Sequence, residues 1–283
     1  MERVYFDYGE DILNPSWDNV FKAILTKDTY ESRAALSSLL TGVIDQPVEV
    51  LGVIANEPPI QSITDRRVRF DINCKLQNGE LANIEMNYSA HTFEPGRLEY
   101  HMSRLFASQG IQGKGQSYSD LKRAYQVTFL AHDELFKDDV LVHRFKYYDT
   151  EHGVPLDGKT QIITVELEKI RLPEADELNS ISLAERWAIF LSHASDPGSR
   201  ELLNQILEKE EGIAMAARTL LTISRDEIER ARLESELKYE LMHRSELIEA
   251  KEKGIAEGIA EGEARGEARG EARGKAVGKA EGK

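Results

Sequence analysis

Hydrophobic positions along the chain change period several times, and each change marks an expected element. Trp17, Val20, Phe21, Ile24 and Leu25 fall at i, i+3, i+4, i+7 and i+8. That is the apolar stripe of an amphipathic helix, with Ser16 after Pro15 placed to cap it. A second helical pattern covers about 29–41 and is expected to stop at Gly42. VEVLGVIAN (48–56) reads as a strand broken by Pro58 and Pro59, and alternating runs follow at about 66–76 and 80–89. A helix over about 95–109 precedes three β-rich segments, AYQVTFLAH (124–132), VLVHRFKYY (140–148) and QIITVELEK (161–169). This order predicts an α/β fold, a mixed sheet flanked by helices. After Pro173 the β-branched runs stop, and 180–253 reads as a helical region for packing and assembly.

The two alternating runs carry the chemistry. In VRFDINCKL the even positions Val68, Phe70, Ile72, Cys74 and Leu76 are apolar, and the odd positions are Arg69, Asp71, Asn73 and Lys75. In LANIEMNY, Ala82, Ile84, Met86 and Tyr88 form the apolar face, opposite Asn83, Glu85 and Asn87. Gln77-Asn78-Gly79 between them suits a three-residue hairpin loop with Gly in the left-handed position. That loop pairs Phe70 with Met86, Ile72 with Ile84 and Cys74 with Ala82, and sets Asp71 against Glu85. A two-residue turn would mix the faces. Like charges opposed across a sheet destabilise it. Two answers stay open: a hard divalent cation held by both carboxylates, or a solvated face neutralised by Arg69 and Lys75.

Composition narrows the classes. The 283 residues, 41% hydrophobic and 30% charged, can bury a sizeable core. No apolar run approaches the roughly 20 residues that span a bilayer. MERVYFDYGEDILNPSWD has no apolar h-region, so a cytoplasmic protein is expected. One cysteine, Cys74, allows no internal disulfide, and the seven histidines form no HExxH. The net charge of −14 argues against nonspecific coating of nucleic acid, yet the balance is uneven: residues 1–60 hold 4 basic and 10 acidic side chains, and 61–125 hold 9 and 7.

The last 30 residues place Gly at every fourth position from Gly254 to Gly282 and Ala from Ala256 to Ala280. Each Gly costs about 0.8–1 kcal/mol against Ala inside a helix. Glu263, Glu267 and Glu271 stack like charges, as do Arg265, Arg269 and Arg273. Alone, the tail is expected to be mostly disordered. Between chains, the Glu stripe of one copy can meet the Arg stripe of another, so the helical region and tail are candidates for homo-oligomerisation.

An Asp in one strand followed after a turn by Glu-x-Gln or Glu-x-Lys resembles the PD-(D/E)XK nuclease superfamily. More closely, over about residues 14–170, the chain resembles the Rpn family of recombination-promoting nucleases, also described as transposases. The likeness rests on WDNVFKAIL (17–25), RVRFDINCK (67–75), NIEMN (83–87), GRLEYHMSRLFASQ (96–109) and ITVELEKI (163–170). It implies a restriction-endonuclease-like domain over 1–172, followed by a helical region (173–253) and the repeat tail (254–283). It implies a Mg²⁺- or Mn²⁺-dependent DNA endonuclease acting in recombination, transposition or defence against foreign DNA. Carried over by position, Asp71, Glu85 and the Met86 carbonyl are the metal ligands. Asp71, Glu85 and Asn87 form the catalytic set, and Asp18 and Lys22 support it. Arg97, Tyr100 and Arg104 face DNA, and Gln109 binds substrate or ends a helix. Asn87 stands where the family has Gln and the superfamily Lys. The alternative is a nuclease-fold protein that binds DNA or self-assembles without cutting. His91 and His101 are read as satisfied polar residues outside the site.

Overall fold

The computed structural model describes residues 3–54, 71–87, 95–110, 117–132, 134–174 and 177–281. Helix α1 (Asp18–Leu25) buries Val20, Phe21, Ile24 and Leu25, the stripe its spacing predicts. Its start differs from expectation. Trp17 takes the cap position without a side-chain bond, because the Ser16 hydroxyl donates to Asn14 Oδ1 (2.8 Å). Helix α2 (Tyr30–Ile44) is capped by Thr29, whose hydroxyl accepts from Ser32 N–H, and it runs through Gly42 to Asp45 at φ 63°. Gly42 is therefore no stop signal. A Cβ there would stand 3.0 Å from the amide nitrogen of Ala184 in α4 (Leu183–His193), so glycine lets the two helices approach.

Six strands form one sheet in the order β1-β2-β3-β4-β6-β5: β1 (Val50–Val53), β2 (Ile72–Leu76), β3 (Leu81–Asn87), β4 (Ala124–Leu130), β5 (Val142–Phe145) and β6 (Thr160–Glu166). β3, β4 and β6 run parallel, and β2 and β5 pair antiparallel at the two flanks. Helix α3 (Pro95–Ala107) makes the crossover from β3 to β4. Its Met102 and Leu105 pack with Phe106 on Leu81, Ala124 and Ile162. On the opposite face Phe21 of α1 meets Phe129 with ring centroids 5.7 Å apart. Both faces of β3 and β4 are thus covered, so their side chains are buried almost throughout.

After residue 173, α4 and α6 (Glu211–Arg225) pack on α2. A compact unit runs over Met1–Ala231 and includes α4, α5 (Arg200–Lys209) and α6. The N-terminal segment stitches them in. Phe6 N–H donates to Asn204 Oδ1 (2.8 Å), Asn204 Nδ2 returns a bond to Phe6 C=O (3.1 Å), and Leu13 N–H donates to Ser224 (3.1 Å).

The second unit covers Arg232–Lys283. Helix α7 (Glu227–Glu281) continues through the repeat tail, which corrects the expectation of disorder. The tail extends a helix that already exists, so it escapes the nucleation cost. Ala, Glu and Arg between the glycines are strong helix formers, and the Glu261–Arg265 pair (3.2 Å) has the favoured i,i+4 order. No described helix is long and apolar enough to cross a membrane.

Candidate active site

β2 and β3 meet in the register Ile72↔Ile84, Asn73↔Asn83, Cys74↔Ala82 and Lys75↔Leu81. Leu76 N–H donates to Glu80 C=O (2.9 Å), and Gly79 has φ 84°. This is the three-residue loop the sequence predicts, with Gly in the conformation that a side chain resists. One step beyond Ile72 and Ile84, the hairpin carries Asp71 and Glu85 to the same end. The expected Phe70/Met86 pair, the Arg69 counter-charge and His91 lie outside the described residues.

The solvated-face reading fails. Glu85 is 1% exposed and Asn83 fully buried, because α3 lies over this face of the sheet. Glu85 Oε1 accepts from Asn83 Nδ2 (2.9 Å) and contacts His101 Nδ1, while Arg97 stands 3.6 Å from Oε2. Asn83 Nδ2 also donates to Gln126 Oε1 (2.8 Å), and Gln126 Nε2 to Thr128 Oγ1 (3.3 Å). A buried polar row thus crosses β3 and β4 beneath the helix and fixes the carboxylate.

α1 approaches from the other side of the sheet. Lys22 Nζ bonds Asp18 Oδ2 (2.5 Å) one turn away and Asp71 Oδ1 (2.9 Å). The expected supporting pair is therefore brought to Asp71. Burial pushes the Asp71 carboxyl up; Lys22 and Arg97 draw it down, the charge of Glu85 adds to the rise, and the net is upward. Burial also pushes Glu85 up, but His101, Arg97 and Asn83 outweigh it and hold this carboxyl below its ordinary range. Burial lowers Lys22, and Asp71 and Asp18 reverse that, so its ammonium is held more firmly than usual. The two carboxyls are driven apart in acidity, as in sites where paired acids take different roles.

Not every sequence-picked residue joins them. Arg97 does, half-exposed. Tyr100 is 41% exposed one turn along α3 from Arg97, and Arg104 lies two turns along. Gln109 is a structural clamp: its side chain donates to Lys122 C=O (3.0 Å) and accepts from Lys122 N–H (2.8 Å). Asn87 C=O accepts from Ala131 N–H (2.8 Å), and its buried Nδ2 has no hydrogen-bond partner among the described residues. His101, set aside in the sequence, sits against Glu85. Its signal was the i,i+4 spacing from Arg97. Gln126 and Thr128 were marked only by being polar at alternate positions of an otherwise apolar strand.

Among the described residues no three His, Cys, Asp or Glu side chains converge as a ready metal cluster. Two opposed carboxylates, one held ionised, nevertheless suit a hard cation that keeps several waters. A cavity of about 560 Å³ lined by Gly42, Asp45, Arg144, Lys169 and Ser182 shares no residue with this site. A family model described as PD-(D/E)XK nuclease family transposase matches residues 15–250. No curated protein and no solved structure matches the chain.

Proposed function

Because the chain belongs to the PD-(D/E)XK nuclease family of transposases, we propose that it is a metal-dependent DNA endonuclease whose site is built on Asp71 and Glu85. The observation that carries this reading is the hairpin register, which sends both carboxylates to one end of β2 and β3. Glu85 and Asp71 would hold Mg²⁺ or Mn²⁺, with the Met86 carbonyl as a further oxygen ligand. When bound, such an ion stabilises charge on the scissile phosphate and lowers the pKa of the attacking water.

The chain's own residues divide the remaining work. Asn83 and His101 fix one oxygen of Glu85, leaving Oε2 toward Arg97. Lys22 positions Asp71 and, with Asp18, ties the first helix to the site. The half-exposed Arg97 is placed to exchange its carboxylate for a DNA phosphate, and Tyr100 and Arg104 continue that helix along the backbone. Asn87 offers Nδ2 to a water or phosphate oxygen. Its setting is recombination, transposition or defence against foreign DNA, and it acts as a homo-oligomer through α7.

The second reading, a nuclease fold that binds or assembles without cutting, rests on Asn87 at the third motif position, where an amide cannot take a proton as Lys does. Plasmid nicking with Mg²⁺ or Mn²⁺ separates the two. Native chain nicks, and Asp71→Ala and Glu85→Ala each lose at least 100-fold. Equal nicking by all three overturns the proposal.

A further inference from the structure

α7 carries a surface that phosphodiester chemistry does not use. Leu241 (38%), Ile248 (42%), Ile255 (54%) and Ile259 (58%) are exposed along it, and Leu237 is half-buried. Together with Arg244 and Glu252 they complete the series 237, 241, 244, 248, 252, 255, 259. At about 100° per residue, all seven positions fall within about 40° of the line through Ile248. That is a narrow seam on a 55-residue helix. Leu237, Ile248 and Ile259 repeat at eleven residues, the spacing of a right-handed supercoil.

The steps of this series, 4-3-4-4-3-4, read the same from either end, with Ile248 at the centre. Laid against a reversed copy of itself, the seam sets Leu237 opposite Ile259, Leu241 opposite Ile255 and Ile248 opposite Ile248. Its only two charged positions, Arg244 and Glu252, then face each other. In a parallel, in-register pair, Arg244 faces Arg244 and Glu252 faces Glu252, so both polar layers repel. We propose that α7 pairs with α7 of a second copy as an antiparallel coiled coil whose two-fold axis passes at Ile248. This deepens the self-association in the reading above and does not depend on cleavage. The contact is isologous and closes as a dimer.

Orientation is read by cysteine pairing in the full chain, without DNA or metal. The native Cys74 is buried, and burial pushes its thiol up to about 12, which keeps it out of exchange. Ile248→Cys alone cross-links on mild oxidation. Leu241→Cys alone does not, but mixed with Ile255→Cys it forms the heterodimeric disulfide. Arg244→Glu weakens association at least 10-fold, and adding Glu252→Arg restores it. Light scattering should give twice the 32.0 kDa chain mass for the native protein. A Leu241→Cys chain that cross-links to itself overturns the antiparallel register. A native monomer at micromolar concentration overturns the pairing altogether, and neither result bears on whether Asp71 and Glu85 cut DNA.

Discussion

Asn83→Ala removes the residue that anchors the acid of the site. Its side-chain nitrogen gives one bond to the buried Glu85 carboxylate at 2.9 Å and one to Gln126 Oε1 at 2.8 Å. The bond to a charged partner is worth about 1.5–3 kcal/mol, and the acceptor left behind on Gln126 costs about 1–3 kcal/mol. The two share one donor atom and are not independent, so a loss of about 3–5 kcal/mol is expected. For a unit of this size that lowers the melting temperature by roughly 6–20 °C. Asn87→Ala is the matched control, since its Nδ2 has no partner among the described residues, and it costs under about 1 kcal/mol.

The charge-assisted share also carries a pH signature. Glu85 is held below its ordinary value of 4.5 in the fold. Its contribution to stability is therefore present above the unfolded pKa and is lost as pH falls through the folded one. Asn83→Ala gives up part of that contribution, so its deficit is full at pH 7 and narrows below about 4.5. Urea unfolding of both chains at pH 7 and in the acid limb reads this. A deficit under about 1 kcal/mol, or one that does not change with pH, refutes the buried row as the support of Glu85.

Two further outcomes follow from other contacts. A Cβ at Gly212 would lie 2.2 Å from Ser38 Cβ and 2.5 Å from its Oγ, the acceptor of Trp187 Nε1–H. Gly212→Ala should cost about 1–3 kcal/mol by overpacking α2 against α6, read in thermal melts. Asn87→Lys restores a group able to position and deprotonate water, so nicking should rise at least 10-fold, measured beside Glu85→Ala in the same background.

The hairpin was legible because two signals agree on it. Strict alternation from Ile72 to Leu76 and from Ala82 to Asn87 fixes the faces, and Asn78-Gly79 fixes the loop. Its burial was not legible, because polar residues at alternate strand positions read the same whether water or a helix lies above them. Only the crossover of α3 decides that Asn83 and Glu85 are covered. His101 was passed over for the same reason, since a histidine on a helix declares no partner until the sheet beneath it is placed. Gly42 and the Gly-rich tail were both read through local cost alone. At Gly42 a neighbouring helix makes the small residue necessary, and in the tail a preceding helix removes the cost of starting one.

Calorimetric titration of Mn²⁺ into the native chain, Asp71→Asn and Glu85→Gln tests the central claim most directly. If the hairpin brings the two carboxylates together as ligands, the native chain takes up one ion, and each variant loses that binding while melting as a folded protein. Unchanged Mn²⁺ affinity in either folded variant contradicts it.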